Sequence, residues 1–382
     1  MTSLLVIIVL ILLAVALWQL TKIFDLTQVG VKKESQVASD NDNNVQGYIM
    51  FAFLAFIYIF TIYGLIKWGG LVLHTPSSAH GATIDNLMNI TWVLIFIVQT
   101  ITQALLYYFA FKYRGKEGNK ALYFSDSNKL EFIWSIIPAI VLAVLILYGL
   151  YAWTNIMFVD KDEDCIEIEL YAQQFKWTAR YSGEDNVLGK ANVRYIEGVN
   201  VLGVDPADPN AQDDKVVSEL HLPLGKKIIF KMRSQDVLHS AFMPHFRAQM
   251  NCVPGMVTQF AFTPIYTTQQ MRDMQFMQEK VANINAIRAK KSMQLVANGE
   301  AALDPYTFDY LLLCNKICGA SHYNMQMKIV VDTPEDYKKW LATQKTFKEE
   351  LQTAAAPAPA KDGAAPVDSM AVNMAPVAAV VK

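Results

Sequence analysis

The chain has 382 residues, enough for two or three domains at roughly 150 each. Hydrophobic residues make up 53% and charged residues only 18%, below the roughly 25% usual for soluble domains, which excludes whole-chain disorder and points to a membrane-embedded portion. Thirty-three Lys and Arg against thirty-five Asp and Glu leave a formal charge of -2, which speaks against nucleic-acid binding, and four cysteines are too few for a disulfide framework.

Four apolar runs, 4–20, 48–66, 90–111 and 132–153, hold no Lys, Arg, Asp or Glu and have about the length a bilayer demands. Ala14-Val15-Ala16 looks like a signal-peptidase site, but no basic residue precedes the run, so a retained helix is expected. Lys22, Lys32 and Lys33 lie in the first connection, Lys112, Arg114, Lys116, Lys120 and Lys129 in the third, and only Lys67 in the second. Basic residues collect on the cytoplasmic side. A multi-pass protein is therefore expected, with its N-terminus and everything after Trp153 on the outer face of a cell membrane.

Beyond residue 160 the pattern changes to short strands, read at 165–170, 175–181, 216–222, 227–232, 257–262, 310–313 and 326–331. Turn residues punctuate them, which predicts a β-sandwich or barrel. A helical insertion over 265–305 interrupts this pattern. Met271, Met274, Met277, Val281, Ile284 and Ile287 share one helical face there, and Thr267 with Gln270 forms a capping box. That stripe reads as a packing face rather than a copper-collecting surface. An amphipathic stretch at 334–351 precedes an Ala/Pro-rich tail, 353–382, expected to be disordered.

One segment carries chemistry: Cys314-Asn315-Lys316-Ile317-Cys318-Gly319-Ala320-Ser321-His322-Tyr323-Asn324-Met325. It sets two thiols, an imidazole and a thioether within twelve residues, and His239 follows a strand upstream. Spacing alone permits a structural zinc or a Cys314–Cys318 disulfide. Met325 favours copper, because a thioether is a poor zinc ligand, and two thiolates can bridge a pair of copper ions. Cys165 and Cys252 read as small core residues.

At these residues the sequence resembles subunit II of the haem–copper cytochrome c oxidases. The family signature Cys-x-Glu-x-Cys-Gly-x-x-His-x-x-Met falls on 314–325 with one mismatch. Asp236-Val237-Leu238-His239-Ser240, the 130–138 segment and Gln173-Gln174-Phe175-Lys176-Trp177 match as well. The resemblance implies α-helical transmembrane segments plus an all-β cupredoxin (Greek-key β-sandwich) extramembrane domain. Residues 1–89 would be an N-terminal extension with two helices, 90–158 a helical hairpin and 159–352 the cupredoxin domain. It further implies two copper ions (CuA) held by His239, Cys314, Cys318, His322, Met325 and the backbone carbonyl of Lys316.

Such a subunit passes electrons from cytochrome c, or from a membrane-bound cytochrome c-type donor in a supercomplex, to the haem of subunit I. Oxygen reduction and proton pumping follow there. Lys316 replaces the family glutamate that helps hold a magnesium ion, so that site is expected to be absent or rebuilt. Phe175 and Trp177 match the electron-uptake segment, with Phe175 where a tryptophan is common. Glu131 matches a carboxylate at the mouth of a proton pathway, and a plain interfacial carboxylate at a helix N-terminus is the alternative reading. Asp205, Asp208, Asp213 and Asp214 could steer a basic cytochrome or simply solvate a loop. A copper-free subunit of the quinol-oxidase type and a zinc-stabilised binding module are the remaining alternatives.

Overall fold

The computed structural model describes residues 2–28, 39–72, 75–159 and 164–355. The expected tail lies outside them from residue 356 onward, as do Lys32 and Lys33. Four long helices come first: α1 (Thr2–Gln28), α2 (Asp40–Trp68), α3 (Gly81–Lys112) and α4 (Asn128–Met157). α2, α3 and α4 are long and apolar enough to cross a membrane, and the apolar stretch Ile8–Ile23 within α1 is shorter. The side chains of residues 2–7 are not described.

Residues such as Phe60, Val93 and Leu147 are exposed on every side of these helices. Exposed apolar surface of this kind requires lipid or protein neighbours, since each helix already satisfies its own backbone groups. The N-terminal end of α2 packs against the C-terminal end of α3. Tyr48 and Phe51 each place a ring 5.2 Å from that of Phe111. The Arg114 guanidinium covers the Phe111 ring at 4.1 Å, and its Nε donates to Asn44 Oδ1 at 2.6 Å. The expected boundary at residue 90 falls inside α3 and is corrected. Asp85, Asn86 and Asn89 end the apolar run in sequence, but the helix begins at Gly81.

Ten strands follow: β1 (Cys165–Gln173), β2 (Lys176–Tyr181), β3 (Lys215–Val217), β4 (Leu220–Pro223), β5 (Lys227–Ser234), β6 (His239–Met243), β7 (Ala248–Cys252), β8 (Thr258–Phe262), β9 (Tyr310–Cys314) and β10 (Gln326–Asp332). They form two five-stranded sheets, in the orders β3-β2-β1-β5-β8 and β4-β10-β9-β6-β7. Ile168, Leu170, Phe230, Leu312 and Ile329 are among the fully buried side chains of the sandwich.

The single strand expected at 216–222 is two strands in different sheets, because the chain bends at Ser218-Glu219. That crossing buries Val217 in one sheet and Leu220 and Leu222 in the other. β6 and β7 escaped the alternation test. β6 is buried on both faces, and Pro244 with the positive-φ Arg247 separates the two strands.

The insertion holds α5 (Thr268–Asp273), with the expected Thr267–Gln270 capping box, and α6 (Gln275–Ala297). Its stripe is not one continuous packing face. The helix breaks at Met274, Met271 and Met277 are buried, and Ile287 is 69% exposed. α7 (Pro334–Thr343) and α8 (Phe347–Ala355) close the domain. Residues Ser77–Ala79, between α2 and α3, also belong to this β-domain. The Ser77 N–H donates to the His245 carbonyl at 2.7 Å, Ser78 Oγ to that of Phe246 at 2.6 Å, and the Ala79 N–H to that of Thr263 at 3.0 Å.

β1 and β5 run parallel, and each β-hairpin reverses direction. The loops at 174–175, 235–238, 253–257 and 315–325 therefore gather at one end of the sandwich. Cys165, the β4–β5 turn and residues 77–79 lie at the other end.

Candidate metal centre

The metal-binding candidates lie where strands of one sheet reach this loop-rich end. His239 opens β6 and Cys314 closes β9, with Cys314 opposite Ala241 in the ladder. The following loop returns on itself. The Cys314 N–H donates to the Met325 carbonyl at 3.1 Å, and the Asn315 N–H to that of Ser240 at 3.0 Å. Gly319 adopts φ +143, and a Cβ there would lie 2.8 Å from Phe175 Cζ and 2.9 Å from Gln174 Nε2. Only glycine fits that space and that backbone conformation.

This fold brings all six expected donors together. The Cys314 and Cys318 sulfurs are 3.8 Å apart and unbonded. Cys314 Sγ lies 3.7 Å from His239 Nδ1 and 3.2 Å from the Lys316 carbonyl oxygen. Cys318 Sγ lies 3.5 Å from His322 Nδ1 and 3.9 Å from Met325 Sδ. His239, Cys314 and Cys318 are buried, with donor atoms within 4.8 Å of one another. Met325 is buried as well, whereas the Lys316 side chain is exposed and offers only its carbonyl.

Burial and the neighbouring Cys314 thiol push Cys318 up to about 11. A thiol so placed keeps its proton until a cation replaces it. Soft sulfur and imidazole donors around one point suit copper, and the thioether argues against zinc.

The orientation of His239 is set from behind. Its Nε2–H donates to Asp236 Oδ1 at 2.8 Å, which leaves the Nδ1 lone pair facing the sulfur. Against the upward push of its own partial burial, N–H groups of Gln174 and Val237 and the His239 ring hold Asp236 below the usual carboxylate range. Gln174 Nε2 donates to the Cys318 carbonyl.

Trp177 is only 4% exposed and lies under His239, with ring centroids 6.3 Å apart. Phe175, partly exposed, is the aromatic that reaches the ligand loop at Gly319. Glu131 is exposed in the first turn of α4 and belongs to the helical unit.

Carboxylates of the acidic loop also hold backbone N–H groups. Asp205 Oδ1 accepts from the Ala207 N–H, Asp208 from those of Lys190 and Asn210, and Asp213 from those of Glu184 and Asp185. Asp214 is fully buried. Cys252 is buried, with burial pushing its thiol up to about 12, and Cys165 is half-buried. Sequence reasoning missed Gln174 as a partner of the cluster. It stood in the quoted aromatic segment, but nothing local reveals a bond across 144 positions.

Two family descriptions match the chain: cytochrome c oxidase subunit II transmembrane domain over residues 66–151, and subunit II periplasmic domain over residues 166–273. The alternative cytochrome c oxidase subunit 2 of Bradyrhizobium diazoefficiens is 34% identical over 292 residues, spanning 74% of this chain and 90% of that protein. Cytochrome c oxidase subunit 2 of Alkalihalophilus pseudofirmus is 22% identical over 305 residues, 78% of this chain and 68% of that protein. The crystal structure of the periplasmic domain of cytochrome oxidase subunit II from Bradyrhizobium japonicum aligns at 18% identity over 47% of this chain and 94% of its own, with a TM-score of 0.27. With a 34%-identical relative matched over nine-tenths of its length and both characteristic domains in order, the chain belongs to the cytochrome c oxidase subunit II family.

Proposed function

We propose that this subunit receives single electrons at a dinuclear copper (CuA) centre and passes them to the haem of subunit I. His239, Cys314, Cys318, His322, Met325 and the Lys316 carbonyl would be its ligands. The carrying observation is the pair of unbonded sulfurs 3.8 Å apart, flanked by an imidazole on each side. When bound, two bridged copper ions share one electron and keep geometry change on redox small. The chain's own residues shape that site. Asp236 fixes the tautomer of His239, Gly319 admits Phe175 against the loop, and Phe175 is the partly exposed aromatic through which a donor approaches. That donor is cytochrome c or a membrane-bound cytochrome c-type domain.

Connectivity supports the orientation. The α2–α3 connection and the chain beyond α4 both run into the β-domain, so both lie on its side of the membrane. The lysine distribution makes this the outer, periplasmic face of a bacterial-type membrane. Lys316 brings an ammonium where a divalent cation would need a carboxylate, so no magnesium is held by this loop. Stoichiometric magnesium in contact with it would refute that. Glu131 opens a proton route in this reading, and unaltered turnover in Glu131→Ala would remove it from the mechanism. α1 and α2, mostly ahead of the matched region, together with the 265–305 insertion, contact additional subunits. Deletion of 1–66 with unchanged co-purifying subunits would count against this.

Metal analysis with paramagnetic resonance of the purified complex tests the central claim. Two copper ions per chain in addition to those of subunit I, with a mixed-valence signal, are expected. Zinc, or a single blue copper, would overturn it.

A further inference from the structure

The ligands come from two separate stretches, 236–239 and 314–325, and one tight turn touches both. At the β1–β2 turn, the Gln174 N–H donates to Asp236 Oδ2 at 2.7 Å, and the other oxygen of Asp236 holds His239. The side chain of the same residue donates through Nε2 to the carbonyl of Cys318. The next residue, Phe175, lies against Gly319, where an added Cβ would meet both Phe175 and Gln174 within 3 Å. Asp236 is already engaged by the Val237 N–H at 2.7 Å and by His239. At the start of the cysteine loop the Asn315 N–H reaches the Ser240 carbonyl, but farther along, at the Cys318 turn, Gln174 is the residue whose described hydrogen bonds reach from the Asp236–His239 pair to the loop. β9 ends at Cys314 and β10 starts at Gln326, so no strand ladder holds the Cys318 turn.

We propose that Gln174 is a positioning residue for the metal centre, clamping the Cys318 turn onto the His239–Asp236 pair so that the two halves of the ligand set keep one geometry. This rests on the copper reading above, but the clamp itself is a property of the protein without metal. An amide is required. It donates to the Cys318 carbonyl, whereas a carboxylate of the same shape would present a second acceptor and repel it. Hydrogen-bond partners just outside a ligand set are typically worth about ten- to a hundredfold in metal affinity.

The test compares the full-length chain with Gln174→Ala, Gln174→Glu and, as control, Lys176→Ala, an exposed neighbour in the same turn. Without copper, the alkylation rate of Cys318 by iodoacetamide, followed by mass spectrometry, should rise several-fold in both Gln174 variants and stay at the wild-type rate in Lys176→Ala. With copper, release to a chelator should be about tenfold faster in the Gln174 variants, with an altered paramagnetic-resonance pattern. Circular dichroism checks that each variant is folded, and Gln174→Glu retains the side-chain volume should Gln174→Ala lose structure. Alkylation and release within twofold of wild type in Gln174→Glu would overturn the proposal. If the wild-type chain instead holds zinc or one copper, the electron-transfer reading falls, while the copper-free alkylation rates still decide whether Gln174 clamps the loop.

Discussion

Two of the buried polar clusters of the β-domain are built on opposite principles. Around Arg180 every charge has a counter-charge. Its Nε donates to Glu169 Oε2 at 2.7 Å and its Nη1 to Asp214 Oδ2 at 2.7 Å and the Gly189 carbonyl at 2.9 Å, while Arg233 pairs with the other oxygen of Glu169. Arg180 is 2% exposed and Asp214 0%, so the group is sealed from water. At the loop end, two thiols, two imidazoles and a thioether converge with no cation of their own. A buried cluster that neutralises itself is architecture. One that gathers only electron-pair donors is arranged around something positive that must be added.

The sharpest way to break this contrast is to remove one donor from each cluster. Cys318→Ser should abolish the mixed-valence copper signal and electron transfer, yet leave the thermal midpoint of the copper-free chain almost unchanged. A large loss of stability would mean that the thiols are structural after all. Arg180→Met should do the reverse. Leaving Asp214 buried without its partner, and Glu169 with Arg233 alone, costs about 3–5 kcal/mol, measurable by denaturant unfolding, while folded molecules keep an unaltered copper spectrum.

A third experiment concerns pH. Burial pushes Asp214 up to about 7, against the pull of Arg180 and the Gly189 N–H, and its Oδ1 has no hydrogen-bond partner among the described residues. A carboxyl raised on folding binds its proton more tightly in the native state. Its contribution is therefore complete below the unfolded value of 3.8 and is lost as pH rises toward about 7. Relative to Asp214→Asn, the wild type should lose stability between about pH 4 and pH 7 and level off above that. At about 1.4 kcal/mol per pKa unit the change is at most a few kcal/mol. A difference independent of pH would show that Asp214 stays ionised throughout.

The two clusters also differ in how plainly they are written in the chain. The donor set at 314–325 is local: five of the six contributing groups fall within twelve residues, and their chemistry is unusual enough to name the metal class. The Arg180 group is invisible in sequence, since residues 169, 180, 214 and 233 are ordinary charged positions until β1, β2 and β5 align them. In the acidic 205–214 loop, the N–H groups that the carboxylates accept from and the burial of Asp214 are hidden for the same reason. Carboxylates that accept neighbouring N–H groups look like surface charge when read in one dimension.

The sequence by itself determined the three span-capable helices, the β character of the rest, the capping box at Thr267 and the candidate donor set at 314–325, because each depends on residue type and short spacing. Tertiary structure alone decided that β3 and β4 lie in different sheets, that residues 77–79 join the β-domain, and that Trp177 is buried while Phe175 meets the loop. It also decided that Gln174 bridges two ligand segments far apart in the chain. Contacts across such distances follow from strand order and direction, which hydrophobic periodicity does not encode.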